Sequence, residues 1–148
     1  MVKYRDLAIS LAASRSMAYG WTMTEFSVRL ANRPGQLATL ARALADADVG
    51  IEAFATIADM GFSHVRFIAD NDARVRRVLK LAGVDYEETD VLDTFVPRGT
   101  SGLAAMAEGL EGSDINIESM YLLHTDAQGY HIAMTVSDPA DTETALAG

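Results

Sequence analysis

The chain has no cysteine among its 148 residues. Without thiols it forms no disulfide framework, and it has no thiolate nucleophile and no thiolate site for zinc or an iron–sulfur cluster. A small oxidised secreted scaffold is therefore disfavoured. The composition predicts a cytoplasmic protein.

Long apolar runs are also missing. No run approaches the roughly 20 residues that a membrane helix needs, so we expect no membrane partner. Apolar residues make up 49% of the chain and charged residues 22%, a balance typical of globular proteins rather than disordered ones. The length allows one ordinary domain or two very small ones.

Positive charge is scarce. Twelve Lys and Arg stand against 21 Asp and Glu, a net charge of −9, and residues 91–148 carry nine acidic residues with Arg98 as their single cation. Such a surface repels nucleic-acid phosphates and anionic lipid head groups, which are normally captured by clustered Lys and Arg. We therefore expect a small-molecule or protein partner and no nucleic acid.

An internal repeat organises the chain, because a shift of 66 residues aligns one half with the other. The second copy has a hairpin that is two residues longer, and after it Gly61-Phe62 aligns with Gly129-Tyr130 and Asp70 aligns with Asp138. The matching apolar positions are Leu37, Leu40, Ala41, Leu44, Val49 and Ile51 in the first copy and Leu103, Met106, Ala107, Leu110, Ile115 and Ile117 in the second.

The periodicity of the first copy predicts the order βαββαβ. Alternation predicts a strand through Phe26, Val28 and Leu30, and Pro34 suits the first position of the helix that follows. The later elements are strands at 51–57, 62–69 and 85–90 and a helix that Asn71 or Asp72 caps and Gly83 stops.

The second copy predicts strands at 91–96, 117–124 and 130–136, with helices at about 101–110 and from Pro139, and it lacks the fourth strand. The fold class is therefore α+β: two tandem ferredoxin-like plaits, the second truncated, with antiparallel sheets and helices on one face. The predicted domains are 24–90 and 91–148, after an extension or helix at 1–23.

The two copies disagree in one respect. The Gly61–Gly129 alignment puts Val65 and Phe67 on one face of the sheet and Ile132 and Met134 on the opposite face. Because strand side chains alternate with a period of two, either the hairpin register is off by one residue or both faces of the sheets are partly covered.

The turn from the first strand into the first helix is the best candidate for chemistry. The amides of Gly35, Gln36 and Leu37 have no partner within the helix, so they attract an anion such as a carboxylate. Asn32 beside them can hold an amino group or the second carboxylate oxygen. The competing interpretation is a plain helix-initiating turn.

The segment Asn32-Arg33-Pro34-Gly35, with Leu37, Leu40 and Leu44 following and Val49-Gly50-Ile51 opening the next strand, resembles the ACT domain. Residues 114–118 of the second copy are similar, and the resemblance covers roughly residues 24–138. It implies a non-catalytic regulatory module that binds a small amino acid or a similar carboxylate, without a cofactor. In many members the ligand lies between the first loop of one unit and the start of the second strand of another.

This chain keeps the loop motif only in the first copy and the strand-opening asparagine only in the second. The resemblance therefore implies one good site instead of two, and the open sheet edge favours a homodimer. The predicted ligand-binding residues are Asn32, Arg33, Pro34, Gly35, Gln36 and Leu37 from the first copy and Asn116 and Ile117 from the second.

The sequence also leaves functions of other classes open. A ligand-free dimerisation or scaffold module shares the fold, and residues 61–67 are similar to the third strand of an RNA-recognition motif.

His124 and His131 are predicted neighbours across the second hairpin, but exposed strand histidines are favoured over a metal site. A basic helix flank, Arg74 to Lys80, suits an acidic protein partner. No catalytic motif appears.

Overall fold

The computed structural model describes residues 20–97 and 99–147. Most of the predicted extension at 1–23, and Arg98, lie outside the described residues. The strands are β1 (Gly20–Ala31), β2 (Ile51–Asp59), β3 (Phe62–Ala69), β4 (Tyr86–Pro97), β5 (Ile117–Thr125) and β6 (Gly129–Val136). The helices are α1 (Gln36–Asp46), α2 (Asp72–Ala82), α3 (Thr100–Glu111) and α4 (Pro139–Ala147). None of these helices has the length and hydrophobicity to cross a bilayer.

The chain divides into two compact units. The first plait comprises residues 23–90, and the second comprises residues 91–148 together with the start of β1. The division falls inside β4, so the strands predicted separately at 85–90 and 91–96 form one continuous strand. That prediction was wrong because no turn residue separates Asp90 from Val91.

The first plait packs α1 and α2 against one face of its antiparallel strands. Within it β3 lies between β1 and β2, with Phe26 opposite Phe67 and Val28 opposite Val65. The rings of Phe26 and Phe67 stack at 5.6 Å between centroids. The helix residues of this core include Leu40, Leu44, Val75, Val78 and Leu79. The other members of the two predicted apolar stripes, Leu37, Ala41 and Ala82, are exposed, so the stripes are confirmed in part.

Helix α2 begins and ends where the sequence predicts. The Asn71 side chain caps it by accepting a hydrogen bond from the Arg74 amide at 3.0 Å, and Gly83 ends it with a φ of 66°. A glycine accepts this left-handed conformation without the steric cost that a Cβ would add.

The second plait repeats this arrangement with α3 and α4. In it β6 lies between β4 and β5, and Leu92 of β4 is opposite Met134 of β6. The two residues belong to one buried core with Leu110, Ile115 and Ile132. Its last described element is α4, and the described residues form two tandem ferredoxin-like plaits, the second of which has no further strand after α4 among them.

The duplication is visible in the backbone as well as in the sequence. Asp48 and Asp114, 66 residues apart, both adopt the left-handed conformation, with φ of 55° and 57°. Directly after them the amides of Val49 and Ile115 bond to the carbonyl oxygens of Leu44 and Leu110, both at 3.0 Å. We call the segments 48–50 and 114–116 the first and second corners.

The conflict between the two hairpins is a register error. Strand pairing makes Val65 and Phe67 equivalent to Ile132 and Met134, a shift of 67, so the predicted alignment of Gly61 with Gly129 was wrong by one residue. An irregularity between Leu122 and His124 interrupts the pairing in the second hairpin. Both faces are also partly covered, since Ile68 and Ala133 are buried opposite the helices.

The corrected register identifies a matching pair of hydrogen bonds at each corner. The Gly50 amide donates to Asp70 Oδ1 at 2.9 Å, and the Asp70 amide donates to the Gly50 carbonyl at 3.0 Å. In the second plait the Asn116 amide donates to Ser137 Oγ and the Ser137 amide donates to the Asn116 carbonyl, both at 2.9 Å. Asp70 is thus equivalent to Ser137, and its predicted alignment with Asp138 was wrong.

In each hydrogen-bonded pair one residue is larger than the other, and the larger residue is on opposite sides in the two plaits. A Cβ on Gly50 would lie 2.5 Å from Asp70 Oδ2, so a larger residue at position 50 would have to displace the Asp70 carboxylate. The second corner holds the larger Asn116 and the smaller Ser137. Each corner is therefore closed by one large and one small side chain.

We expect Gly50→Asn to lower the free energy of unfolding by about 1–3 kcal/mol, because its Cβ displaces the Asp70 carboxylate from the Gly50 amide. The double variant Gly50→Asn/Asp70→Ser copies the second corner, and we expect it to recover most of that loss. Urea unfolding followed by circular dichroism measures the stability of both variants. The single variant Asp70→Ser completes the double-mutant cycle. A double variant no more stable than Gly50→Asn would contradict this account.

Candidate functional site

The predicted binding loop, residues 32–37, forms a tight turn before α1. Gly35 has φ 91° and ψ −16°, and the Gln36 amide donates to the Arg33 carbonyl at 3.4 Å. Proline followed by glycine at the central positions is typical of a type II turn. The helix begins at Gln36, so the prediction that Pro34 occupies its first position was wrong. Pro34 instead restricts the turn.

The sequence predicts three backbone amides that are available to bind an anion, and two of them are available in the structure. The Gln36 amide is used by the turn, whereas those of Gly35 and Leu37 have no hydrogen-bond partner in the described part of the chain. The Asn32 amide donates to the Gly61 carbonyl at 3.0 Å, which holds the loop against the first hairpin. Asn32 and Leu37 are exposed, so the loop presents two free N–H donors beside an exposed carboxamide.

The other predicted residues, Asn116 and Ile117, line an open groove in the second plait. Its volume is about 350 Å³, and its remaining lining residues are Ala107, Leu110, Glu111, Asp114 and Ile115. The backbone of Asn116 is bonded to Ser137, whereas its exposed side chain has no hydrogen-bond partner among the described residues. The carboxamide is therefore available on a wall whose backbone is held in place.

The structure places Asn32 to Leu37 in the first plait and Asn116 and Ile117 in the second. It brings each group together within its own plait. A site that joins the two groups stays a prediction.

Sequence reasoning missed Glu111 and Asp114, the two carboxylates of the groove. It assigned Arg74 to a basic flank for an acidic partner, whereas Arg74 Nη1 lies 3.0 Å from the Asp48 carbonyl oxygen and 3.4 Å from Asp48 Oδ2 at the first corner. The signal was present, because Asp48 and Asp114 are separated by the repeat spacing of 66 residues.

The predicted histidine neighbours do meet across the second hairpin. His124 is opposite His131 with 5.6 Å between ring centroids, and His131 Nε2 lies 3.1 Å from Asp126 Oδ2. The Gln128 amide, then His131 and the Gly129 amide, lower the pKa of Asp126 through hydrogen bonds. Across residues 20–97 and 99–147, no group of three or more metal-ligating side chains occurs.

Within the described part of the chain, the aromatic side chains that suggested an RNA-recognition surface pack against other residues. Phe67 is buried against Phe26, and Tyr130 packs on the core of the second plait. Phe62 is partly exposed, but the Arg29 guanidinium lies 3.5 Å from its ring centroid. These side chains pack the protein instead of presenting stacked rings to bases.

Part of the basic flank of α2 is paired within the chain. Arg76 Nε donates to Glu88 Oε1 at 2.8 Å, a hydrogen bond that raises the pKa of Arg76, and Arg74 contacts Asp48. Arg77 and Lys80 are the exposed members that remain for an acidic partner.

Solved structures identify the fold. A protein from Bacteroides thetaiotaomicron superposes with a TM-score of 0.74 at 21% identity, over 84% of this chain and 85% of that one. Regulatory subunits of aspartate kinase from Thermus thermophilus, in the ligand-free form, and Thermus flavus give TM-scores of 0.63 and 0.64 at 18% and 16% identity. They match over 88% of this chain and 91% and 92% of theirs. No family model and no curated protein matches the sequence. The chain has the tandem ACT fold.

Asp93, on β4 opposite Ala133, generates a pH-dependent prediction. Burial raises its pKa, which the nearby His131 lowers to a smaller extent. Because the folded-state pKa lies above the unfolded value of about 3.9, the ionised carboxylate opposes folding above the folded pKa. That opposition disappears as the pH falls below the unfolded value. We therefore expect Asp93→Asn to raise the free energy of unfolding at pH 7.

The gain should vanish near pH 3, where Asp93 is protonated in both states. Asp126→Asn is the matched control with the opposite sign, because the pKa of Asp126 is lowered and its ionised form favours folding at pH 7. Urea unfolding at the two pH values measures both variants. An equal gain for Asp93→Asn at pH 7 and near pH 3 would contradict the burial argument.

Proposed function

We propose that this protein is a non-catalytic regulatory module of the cytoplasm that binds one small amino acid between two domains, residues 24–90 and 91–148. The ligand lies between the loop Asn32–Leu37 and the strand opening at Asn116 and Ile117. Its occupancy is transmitted by a change in how the plaits or subunits pack. No cofactor takes part.

The loop supplies the carboxylate-binding half of the proposed site. The free amides of Gly35 and Leu37 lie at the start of α1, where the helix dipole adds a positive partial charge. Asn32 and Arg33 are exposed next to them. These groups suit the carboxylate that every free amino acid carries.

The observation that carries the proposal is Asn116. Its backbone amide and carbonyl are both bonded to Ser137, yet its side chain is exposed and unpartnered on the wall of the groove. A polar side chain held on a fixed backbone loses little conformational freedom when it binds a ligand, which favours affinity. The first plait has Gly50 at this position and offers no such group.

The resemblance to regulatory subunits of aspartate kinase supports a regulatory role. A ligand can shift the packing of two units only by its differential affinity for the two arrangements, so we expect a coupling of about 1–3 kcal/mol. The enzyme or regulator that reads this change is a partner of the module.

We further propose that the protein acts as a homodimer. Strand β2 pairs only with β3 within the first plait, and its Phe54 and Ile57 are 68% and 64% exposed. Exposed apolar side chains on an outer strand favour association with another chain. The same observation favours a second candidate function, a dimerisation scaffold without a ligand.

Thermal unfolding against each of the twenty amino acids tests the proposal, because a ligand that binds the folded state raises the midpoint. We expect at least one amino acid to do so. In Asn116→Ala the ligand-induced rise should fall by half or more, since the variant removes the carboxamide from the groove.

Asn71→Ala is the matched control. It removes the cap of α2 and lowers the stability of the free protein by about 1 kcal/mol, but it leaves the ligand-induced rise unchanged. No rise with any amino acid would overturn the proposed ligand binding and favour the scaffold. An unchanged rise in Asn116→Ala would remove Asn116 from the site.

A further inference from the structure

Helix α2 presents an unpaired basic surface. Arg77 and Lys80 are exposed and form no ion pair among the described residues, whereas the other two arginines of this helix contact acidic side chains nearby. Leu81, next to them on the helix, is 82% exposed. Residues three and four apart are neighbours on a helix, so the three side chains form one surface, which we call the basic face.

The chain separates its charges between the two plaits. Every Lys and Arg of the described residues lies between Arg29 and Lys80, and residues 99–147 contain none. Helix α3 carries Glu108 and Glu111, which are exposed and have no ion-pair partner in the part of the chain that the structure describes. One copy of the chain therefore offers the charge that another copy lacks.

Helix α3 repeats the spacing of the basic face in the reverse direction. When two helices pack antiparallel, a step along one is matched by an equal step backwards along the other. The facing pairs are then Arg77 with Glu111, Lys80 with Glu108 and Leu81 with Ala107. Ala107 is small and exposed, so it leaves room for the leucine side chain. We call residues 107, 108 and 111 the acidic face.

We propose that the basic face of one copy docks against the acidic face of a second copy, with α2 and α3 antiparallel. Each copy carries both faces, so two copies related by a two-fold axis form the contact twice and close into a dimer. This surface is separate from the edge of β2, and its formation requires no amino acid. Ala107 and Glu111 also line the groove, so the docked helix borders the proposed ligand site.

The full chain carrying Ile57→Asp isolates this contact, because the change places a charge on the exposed apolar surface of β2. Sedimentation velocity over a series of protein concentrations measures its self-association without added amino acids. We expect association at low salt, about 0.1 M NaCl, that weakens about tenfold or more at high salt, about 1 M, because the Debye length falls from about 10 Å to about 3 Å. Apolar association is not weakened by salt in this way.

Charge reversal tests the pairing of the two faces in the same Ile57→Asp chain. Arg77→Glu/Lys80→Glu reverses the basic face, and Glu108→Lys/Glu111→Lys reverses the acidic face. Each reversed chain alone brings like charges together at both contacts, so we expect it to stay monomeric. An equimolar mixture of the two restores opposite charges at both contacts. We expect this mixture to associate as the chain with Ile57→Asp alone does.

Arg42→Glu is the matched control. Arg42 is an exposed helix arginine outside both faces, 4.0 Å from Asp46. We expect its replacement to leave the self-association unchanged. Circular dichroism checks that each variant is folded, and the salt response of Ile57→Asp alone tests the proposal without altering either face.

A chain with Ile57→Asp that is monomeric at low salt would overturn this inference, and so would association that high salt leaves unchanged. A mixture of the reversed chains that associates no more than its components would do the same. All three outcomes leave the proposed ligand binding and the β2 dimer in place. Association of the mixture, with each component monomeric alone and Arg42→Glu unaffected, supports the proposal.

Discussion

The corner at which each plait turns from its first helix into its second strand depends on a reciprocal pair of hydrogen bonds. Gly50 exchanges bonds with Asp70, and Asn116 exchanges bonds with Ser137. These bonds join the start of one strand to the residue that follows its hairpin partner. They satisfy backbone groups that would otherwise lack a partner at the end of a strand, and they hold the wall of the groove in place.

The two copies form this pair of hydrogen bonds with different residues, and the two corners therefore expose different side chains. In the first plait the Asp70 side chain lies beside Gly50, and Arg74 donates a hydrogen bond to the Asp48 carbonyl oxygen. The first corner is therefore complete within the chain. In the second plait the small Ser137 leaves the Asn116 side chain exposed, and the Asp114 carboxylate faces no cation among the described residues. The two corners therefore differ in one respect: side chains of the chain itself close the first, whereas the second leaves the Asn116 carboxamide exposed.

Much of the fold was predictable because apolar periodicity reports burial directly. Phe26, Val28 and Leu30 alternate and are buried, and Val75, Val78 and Leu79 of α2 are buried as their spacing predicts. The errors occurred where periodicity carries no information. Pro34 is compatible with a turn as well as with the first position of a helix, and Gly35 with its positive φ decides for the turn. The register of β6 depends on an irregularity in β5, which alternation alone does not reveal.

The sequence by itself determined that the chain is duplicated, that each copy is a βαββ unit with a following helix, and that Asn32 and Asn116 belong to different copies. These properties are local, because helix caps, turns and apolar periods involve residues close together in the chain. Only the tertiary structure decided that Asp70 is equivalent to Ser137, that Arg74 occupies the first corner and that Glu111 and Asp114 line the second. The corner contacts of Asp70, Arg74 and Ser137 join residues 20 or more positions apart, and their geometry follows from strand pairing and helix packing, which no local pattern encodes.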